Sequence, residues 1–494
     1  MRPQAIILAL ASLTCATYFT STGLAASSVT PNFPGNGGQA ADSIPETSVY
    51  LIRAEKLIVR PGEVLENTSV LVRGDKIVQI GTDLELPEGA EELKGKVVCA
   101  SFIDPWSALG IDQNVLNDRS LAEGARAADS LNLYEDDFLR DQALAAGVTS
   151  VRVQGGYRGA QCGLGAMVRL DPTLNDPESA VLLADANMGM SLGLSPDPTQ
   201  RFVRGSDGSF SVIVVNNGMD VFDRVSGVDK LIGQIEQGSD YHAAELKYEH
   251  ELAEWKKSIL EKTKELEDDF KKAKKSRDKD VKSAKEKDKE FKEKKYKEDK
   301  KPKAPKYDGD KAVLARMAEG EMPLVVEVHR SAEIRNLLAG TEQYKRLRLV
   351  IAGGSEALSC ASELAERGIP VIVWPALLGD SAKDEFLGSS LSLAASLSEA
   401  GVEVLLGTGG RSNQVTRDLP LLAELAIGHG MDRDDALRAL TIGAATTFDL
   451  AGSLGTVELG KDADLLVLDG MPLTSGTTIE HVFCGGRLAA TSTN

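Results

Sequence analysis

Residues 324–328 have the sequence Leu-Val-Val-Glu-Val, and three similar runs follow: 347–351 (Leu-Arg-Leu-Val-Ile), 369–373 (Ile-Pro-Val-Ile-Val) and 402–406 (Val-Glu-Val-Leu-Leu). Each run is almost continuously apolar, and a stretch of helical pattern separates it from the next. Strands that are buried on both faces of a parallel sheet have this composition, whereas strands with one solvated face alternate apolar and polar residues. The four runs therefore predict repeated β/α units.

Three more runs of the same kind precede them, at residues 96–103, 148–153 and 180–183. Seven or eight β/α units over this length favour a closed barrel above an open, doubly wound sheet. We therefore predict an α/β protein in which residues 97–454 form a (β/α)8 TIM barrel.

Both ends of this region carry shorter strand patterns. Before it, short β runs alternate with turns at Pro61-Gly62 and Arg73-Gly74-Asp75, and after it residues 460–468 and 481–488 return to short strands. We expect residues 49–96 and 455–494 to form one small β-sandwich from both chain ends.

The first 26 residues have the layout of a secretory signal, with Arg2 before an apolar run and small residues Ala25 and Ala26 before Ser27. The sequence therefore predicts export to the periplasm or the extracellular space. The apolar run is shorter than the roughly 20 residues that a transmembrane helix needs, so no transmembrane span is expected. Residues 27–48 are rich in Ser, Pro, Gly and Asn and predict a flexible linker.

The composition narrows the function classes. The 494 residues carry a formal charge of −18, which argues against nucleic acid as a partner. Five cysteines in such a chain exclude a disulfide-dense scaffold. An oxidising compartment would permit bridges among the four cysteines beyond the signal, but buried free thiols are the favoured interpretation of Cys99, Cys162, Cys360 and Cys484.

Residues 241–311 differ from the rest of the chain, because they hold 24 of the 56 Lys and Arg and 19 of the 74 Asp and Glu. An apolar stripe at helical spacing runs through the first half of this insert: Leu252, Trp255, Ile259, Leu266 and Phe270. One straight helix would be roughly 80 Å long at 1.5 Å per residue, so a helical hairpin or a partly disordered arm is expected instead. The charge run is typical of a solvated helix face, and the alternative is an arm that contacts a protein partner or a membrane surface.

The residues around these patterns resemble the amidohydrolase superfamily, most nearly its imidazolonepropionase-like secreted members. Residues 57–81, 95–104 and 145–152 are similar to the family's opening β segment and first two barrel strands. The most specific similarity is C-terminal, at 436–445 and at 455–470 (Gly-Thr-Val-Glu-Leu-Gly-Lys-Asp-Ala-Asp-Leu-Leu-Val-Leu-Asp-Gly). The resemblance implies a distorted (β/α)8 barrel with a β-sandwich built from both termini, which agrees with the strand pattern.

The resemblance also implies metal-assisted hydrolysis of C–N bonds in amides or cyclic amides, with zinc, iron or manganese as the ion. Its ligands are a His-x-His pair after strand one, a His on each of strands five and six, and an Asp on strand eight. At these places this chain has Trp106 and Ala108, then His329, Gly353 and the dipeptide Thr408-Gly409. His329 is therefore the one retained ligand. Trp, Ala and Gly side chains offer no lone pair suited to a divalent ion.

Two hypotheses follow. The favoured one is a catalytically impaired binding or scaffold protein with no metal cofactor, a small ligand in the barrel mouth near Trp106, His329 and Gly409, and a protein partner on the insert. The alternative is an active amidohydrolase with a divalent metal in a reduced or relocated site around His329. An unrelated oxygen-ligand site is a further option, and its candidates are Asp104, Asp185, Glu327 and Glu356; turn, cap or surface carboxylates are the favoured interpretation of these four.

Overall fold

The computed structural model describes residues 48–111, 123–132, 137–155, 161–171, 177–192, 199–204, 210–215, 221–283, 300–374, 389–410 and 412–491. The predicted signal at 1–26 lies outside the described residues, as does nearly all of the predicted linker at 27–48.

Seventeen strands lie in the described residues. In chain order they are β1 (Val49–Arg60), β2 (Glu63–Arg73), β3 (Lys76–Gly81), β4 (Glu91–Ala100), β5 (Phe102–Ser107), β6 (Val148–Val153), β7 (Gln161–Arg169), β8 (Val181–Ser191), β9 (Thr199–Arg204), β10 (Phe210–Val215), β11 (Leu324–Val328), β12 (Leu349–Gly353), β13 (Val371–Val373), β14 (Val404–Leu406), β15 (Leu465–Leu468), β16 (Ile479–Cys484) and β17 (Arg487–Thr491).

Ten α-helices lie in the same residues. They are α1 (Asp137–Ala145), α2 (Pro177–Ala180), α3 (Val221–Ser283), α4 (Gly309–Ala318), α5 (Ser331–Thr341), α6 (Ala361–Glu366), α7 (Leu393–Glu399), α8 (Leu419–Gly428), α9 (Arg433–Leu440) and α10 (Ile442–Thr447).

An eight-stranded sheet forms the barrel wall, in the order β14-β13-β12-β11-β8-β7-β6-β5. Its two ends meet where the hydroxyl and the backbone N–H of Thr408, just after β14, donate to the carboxylate of Asp104 on β5. The strands β11 to β14 are buried along their whole length, as their apolar runs predict. The predicted α/β barrel is confirmed.

One strand of the barrel runs against the others, which the sequence did not reveal. β7 pairs antiparallel with both β6 and β8. The segments that join β7 to these two neighbours are too short for the dozen or more residues that a parallel crossover needs. The glycines at 163 and 165 lie inside this strand, where they weaken its apolar pattern.

Both chain ends pair in one seven-stranded sheet, in the order β17-β16-β15-β4-β1-β2-β3. The predicted run 96–103 is divided between this sheet and the barrel, because β4 ends at Ala100 and β5 begins at Phe102. The break falls at Ser101, whose backbone N–H donates to the carbonyl of Asp464, directly before β15, the neighbour of β4 in the end sheet.

The acidic pair of the C-terminal block, Asp462 and Asp464, has a structural task. Arg169, at the end of β7, pairs with Asp462 and with Asp464, the latter at 3.0 Å. Lys76 on β3 also pairs with Asp462. Because Arg169 and both carboxyl groups are largely buried, these contacts are screened little by solvent and hold the end sheet against the barrel.

The described part of the charged insert, up to residue 283, belongs to one continuous helix; the expected helical hairpin or partly disordered arm would involve residues 284–299, which lie outside the described residues. α3 has 63 residues, begins at Val221 rather than at 241, and would be about 95 Å long at 1.5 Å per residue. Val228, Leu231 and Ile235 in its first turns are buried against the barrel, so packing supplies the helix nucleus that an isolated charged helix lacks. Three residues of the predicted apolar stripe are half-buried: Leu252, Trp255 and Ile259. The side chains of the other two, Leu266 and Phe270, lie outside the described residues, as do residues 284–299.

Cys99, Cys162, Cys360 and Cys484 are buried free thiols, as predicted. Burial raises the pKa of the Cys99 thiol to about 12 and also raises the pKa of Cys162, so neither is a ready nucleophile. In the part of the chain that the structure describes, no helix is both long and apolar enough to cross a bilayer.

Candidate functional site

The C-terminal end of the barrel, where this architecture places its chemistry, is filled by aromatic rings. Trp106 on β5 lies edge-to-face with Trp374, just after β13, at 5.0 Å between ring centroids. His329, just after β11, meets the same Trp374 ring at 5.5 Å. We call Trp106, Trp374 and His329 the aromatic cluster. Such contacts add stability beyond the area they bury, so the cluster is a packed unit.

Glycines make room for each ring of the aromatic cluster. A Cβ built on Gly410 would lie 2.0 Å from Trp106, and one on Gly353 would lie 2.5 Å from His329. A Cβ on Gly409 would touch Trp374 at 3.5 Å. All three glycines have positive φ, between 64° and 89°, which L side chains rarely adopt. The glycines at the family's ligand positions are therefore matched in shape to the rings that lie over them.

His329 is 2% exposed and is oriented by one hydrogen bond. Its Nδ1 lies 2.9 Å from the hydroxyl of Ser355. Its Nε2 lies 3.6 Å from the carboxylate of Glu327, beyond hydrogen-bond distance, and has no hydrogen-bond partner among the described residues. Glu327 is itself 3% exposed and accepts a hydrogen bond from Ser191 at 3.2 Å.

Asp104 closes the barrel seam beneath the cluster. It is fully buried, and Oδ1 accepts the backbone N–H groups of Trp106 at 3.0 Å and Thr408 at 3.2 Å. Burial raises its pKa to about 6, against the effect of these hydrogen bonds and of the Arg152 charge. Its contacts define its task, because they position the backbone at both ends of the sheet.

Arg152 on β6 places a cation inside the barrel. It is 2% exposed, and its three guanidinium nitrogens each reach a neutral acceptor: Asn187 Oδ1 at 2.8 Å, the Pro105 carbonyl at 3.3 Å and Gln154 Oε1 at 2.6 Å. Desolvation lowers its pKa to about 10, which leaves it charged at neutral pH. Gln154 is fixed in turn by donating to the carbonyls of Cys162 and Gly163.

The space left among these groups is small. A cavity of about 20 Å³ is lined by Trp106, Arg152, Glu327 and Gly410, among others. That volume accommodates about one water molecule, whereas small-molecule sites measure roughly 300–1,000 Å³. A larger cleft of about 600 Å³ opens beside Pro323, Leu349 and Pro370, at the N-terminal ends of the strands, where barrels carry residues for stability.

The structure brings together five of the six pocket candidates, since Trp106, His329, Gly353, Thr408 and Gly409 border the cluster or the seam. Ala108 is separate: it packs in the apolar layer around Leu109, while Trp106 belongs to the barrel interior. Among the four candidate carboxylates, Glu356 accepts the Ser331 N–H at the start of α5, and Asp185 pairs with Arg126 and Arg316. The interpretation as surface groups is wrong for Asp104 and Glu327, which are buried inside the barrel, although Asp104 does accept the N–H of Trp106 two residues on, as a turn carboxylate does.

Two important residues were missed from the sequence although a signal existed for each. Arg152 is a charged residue within the otherwise uncharged buried run 148–153, an arrangement that requires a partner. Trp374 directly follows the strand at 371–373, which is the position where barrel sites take their residues. The other four histidines lie elsewhere: His242 is 3.8 Å from Glu319, His250 pairs with Glu254 along α3, His429 follows α8, and His481 is in β16.

Comparison with known proteins agrees with this architecture. Residues 357–489 match the family model described as the amidohydrolase family. Imidazolonepropionase of Thermoanaerobacter pseudethanolicus is 31% identical over 120 residues, which are 24% of this chain and 29% of that protein. Imidazolonepropionase of a Geobacillus species is 32% identical over 108 residues, 22% of this chain and 24% of that protein. These matches span less than a third of either relative.

Among solved structures, an amidohydrolase from Thermotoga maritima covers 90% of this chain and 100% of its own, with a TM-score of 0.62 at 21% identity. The chain has the amidohydrolase fold and carries the family's C-terminal sequence. The predicted resemblance to the imidazolonepropionase-like amidohydrolases is thereby confirmed.

The amidohydrolase fold implies a divalent metal ion at this end of the barrel, so the donors need to be compared with what such an ion requires. The described residues contain no group of three or more His, Cys, Asp and Glu side chains arranged to hold a metal. Asp104 is engaged by three hydrogen bonds at the seam, and His329 and Glu327 are two donors where at least three are needed. The donor set of the described residues does not fit a divalent ion.

Proposed function

We propose that this exported amidohydrolase-fold protein is a binding or scaffold protein and does not hydrolyse C–N bonds with a metal at the barrel mouth. The observation that carries the proposal is the aromatic cluster. Trp106, Trp374 and His329 pack over Gly410, Gly409 and Gly353, and the remaining cavity holds about one water. A hydrolase needs an open position for substrate beside its ion, and among the described residues the packed rings leave none.

The metal content of the purified mature protein tests the proposal. We expect less than about 0.1 equivalent of zinc, iron and manganese together by elemental mass spectrometry, because a His with one nearby carboxylate cannot hold an ion firmly. The control is an imidazolonepropionase purified in the same buffers. Near-stoichiometric metal in this protein would overturn the proposal. The intact mass of the same preparation, recovered from the periplasm or medium, tests cleavage after Ala25 or Ala26.

One observation favours a second candidate, an amidohydrolase with a reduced site around His329. The Nε2 of His329 is buried without a hydrogen-bond partner among the described residues and lies 3.6 Å from Glu327, which is an arrangement suited to proton transfer. Hydrolysis of cyclic amides or dipeptides that is lost in His329→Gln, with folding intact, would support this candidate over the binding protein.

We assign the binding role to the α3 arm, residues 241–283. Its side chains at Leu246 and Leu260 are 51% and 58% exposed and are therefore accessible to a partner. Replacing residues 241–311 by a short Gly/Ser linker should leave the barrel folded and abolish capture of a protein partner from an extract of the exported fraction. Leu246→Lys with Leu260→Lys in the full-length arm is the milder variant. Unchanged partners in both would contradict this role.

A further inference from the structure

The interior of the barrel holds a buried positive charge whose direct hydrogen-bond acceptors are all neutral. The Arg152 guanidinium donates to the Asn187 and Gln154 side-chain oxygens and to the Pro105 carbonyl. Asn187 also donates to Gln154 Oε1 at 2.8 Å, so the acceptors are themselves fixed. A buried ion held in this way is rigidly placed, but its charge still has to be balanced by other groups.

Asp104 is a balancing charge for Arg152, and Glu327 is a second buried carboxyl group at the same small cavity. Asp104 and Glu327 are 0% and 3% exposed, and Glu327 lines the same small cavity as Arg152. Arg152 and Asp104 each favour the charged form of the other. Buried carboxylates need a cation close by, and a metal-binding barrel supplies it as a bound ion. Here the chain supplies it as a side chain.

Trp106 is suited to this cation in a way that the family's His is not. The guanidinium carbon of Arg152 lies 5.9 Å from the centroid of the Trp106 ring and 5.5 Å from that of Phe448. Cations within about 6 Å of an aromatic face are attracted to it, most of all to Trp. A Trp at position 106 thus exchanges a metal ligand for a π face that meets an internal guanidinium.

We infer that Arg152 is a permanent internal cation that occupies the electrostatic place of a metal ion, and that its charge keeps divalent metals out of the space beside Trp106. The inference rests on the proposed function and deepens it by naming the group that governs the site. It makes metal exclusion a consequence of a positive charge, in addition to missing ligands. Restoring a ligand is then insufficient for metal binding unless the charge of Arg152 is removed as well.

The test compares zinc binding by the full-length mature protein and three variants: Trp106→His, Trp106→His with Arg152→Met, and Trp106→His with Arg152→Lys. The imidazole introduced at position 106, His329 and Glu327 would be the three donors, which is the minimum number that a zinc ion needs from the protein. We expect zinc to bind the variant that carries Arg152→Met at least about 100-fold more tightly than the other three proteins, because a fixed cation in a poorly screened interior opposes a divalent ion. Lysine keeps the charge without the guanidinium fork and is the matched control.

Competition with a zinc-responsive dye, followed by elemental mass spectrometry after desalting, measures the affinities, and circular dichroism checks folding. Equal zinc affinity of Trp106→His with and without the Arg152→Met change would overturn the inference, and so would zinc binding by neither. If the variant with Arg152→Met does not fold, Arg152→Gln, whose amide retains part of the hydrogen bonding, carries the same comparison. Metal in the wild type would instead overturn the proposed function, so the two failures are distinguishable.

Discussion

Replacing Gly410 by alanine is expected to lower the free energy of unfolding by about 2–5 kcal/mol. The backbone at Gly410 has a φ of +64°, which costs a residue with a Cβ about 1–2 kcal/mol. The new methyl group would also lie 2.0 Å from the Trp106 ring, which is held in place by Trp374 and Arg152. Overpacking of this kind costs about 1–3 kcal/mol more.

The matched control is Gly74→Ala. Gly74 has nearly the same φ, +60°, but a Cβ there would meet nothing within 4 Å. The free energy of unfolding of Gly74→Ala should fall only by the cost of the backbone conformation, about 1–2 kcal/mol. Urea unfolding followed by tryptophan fluorescence measures both, since two of the three tryptophans, Trp106 and Trp374, are in the aromatic cluster.

A double variant locates the cause. If the methyl group clashes with the Trp106 ring, Gly410→Ala should lower the free energy of unfolding markedly less in a Trp106→Ala background than in the wild type. Equal losses at Gly410 and Gly74, or equal losses with and without the ring, would mean that Trp106 does not pack on Gly410 and would weaken the basis of the proposed function.

The barrel could be predicted from the sequence because the pattern that indicates it is local and is repeated from strand to strand. Each buried strand carries its own apolar run, and the block at 455–470 carries the acidic residues that fix the end sheet to Arg169. β7 was missed for the opposite reason, since the glycines at 163 and 165 break its apolar run. Its antiparallel pairing depends on short connections, which are visible only when the strand itself has been recognised.

The site was predictable only in outline. A comparison with family ligand positions gives Trp106, His329, Gly353 and Gly409, but not what fills the space between them. Arg152, Trp374 and Gly410 come from three different segments, and their contacts are produced by closure of the barrel. No local pattern encodes such long-range packing, whereas a lone charge within the buried run 148–153 at least indicates that a partner is required.

Replacing Gly238 by alanine is expected to destabilise the protein by up to about 2 kcal/mol, although alanine is the better helix former by about 1 kcal/mol. Gly238 lies inside α3 where that helix crosses α4, and a Cβ there would be 2.3 Å from the carbonyl oxygen of Leu314. The obstacle is backbone and cannot rotate away, so the two helices would have to separate.

Gly233→Ala, five residues earlier in the same helix, should change the stability of the protein in the opposite direction. A Cβ on Gly233 meets nothing within 4 Å, so the change only reduces the entropy of the unfolded chain and should stabilise by up to about 1 kcal/mol. Thermal unfolding gives the two signs, and hydrogen exchange along α3 shows where the difference arises. Stabilisation by both would show that α3 does not pack closely on α4.

Whether Gly238→Ala destabilises the protein also shows how the α3 arm is attached to the barrel. The buried side chains Val228, Leu231 and Ile235 hold the start of α3, and Gly238 is a point of close approach to α4 shortly before the exposed part begins. Packing at the crossing of α3 and α4 stabilises the helix from which the arm continues. Loosening this crossing should therefore raise amide exchange throughout the described arm, while β11 to β14 keep their protection. Loss of protection in the barrel strands as well would mean that the arm and the barrel unfold as one unit, and that the arm is part of the fold and not a separate binding element.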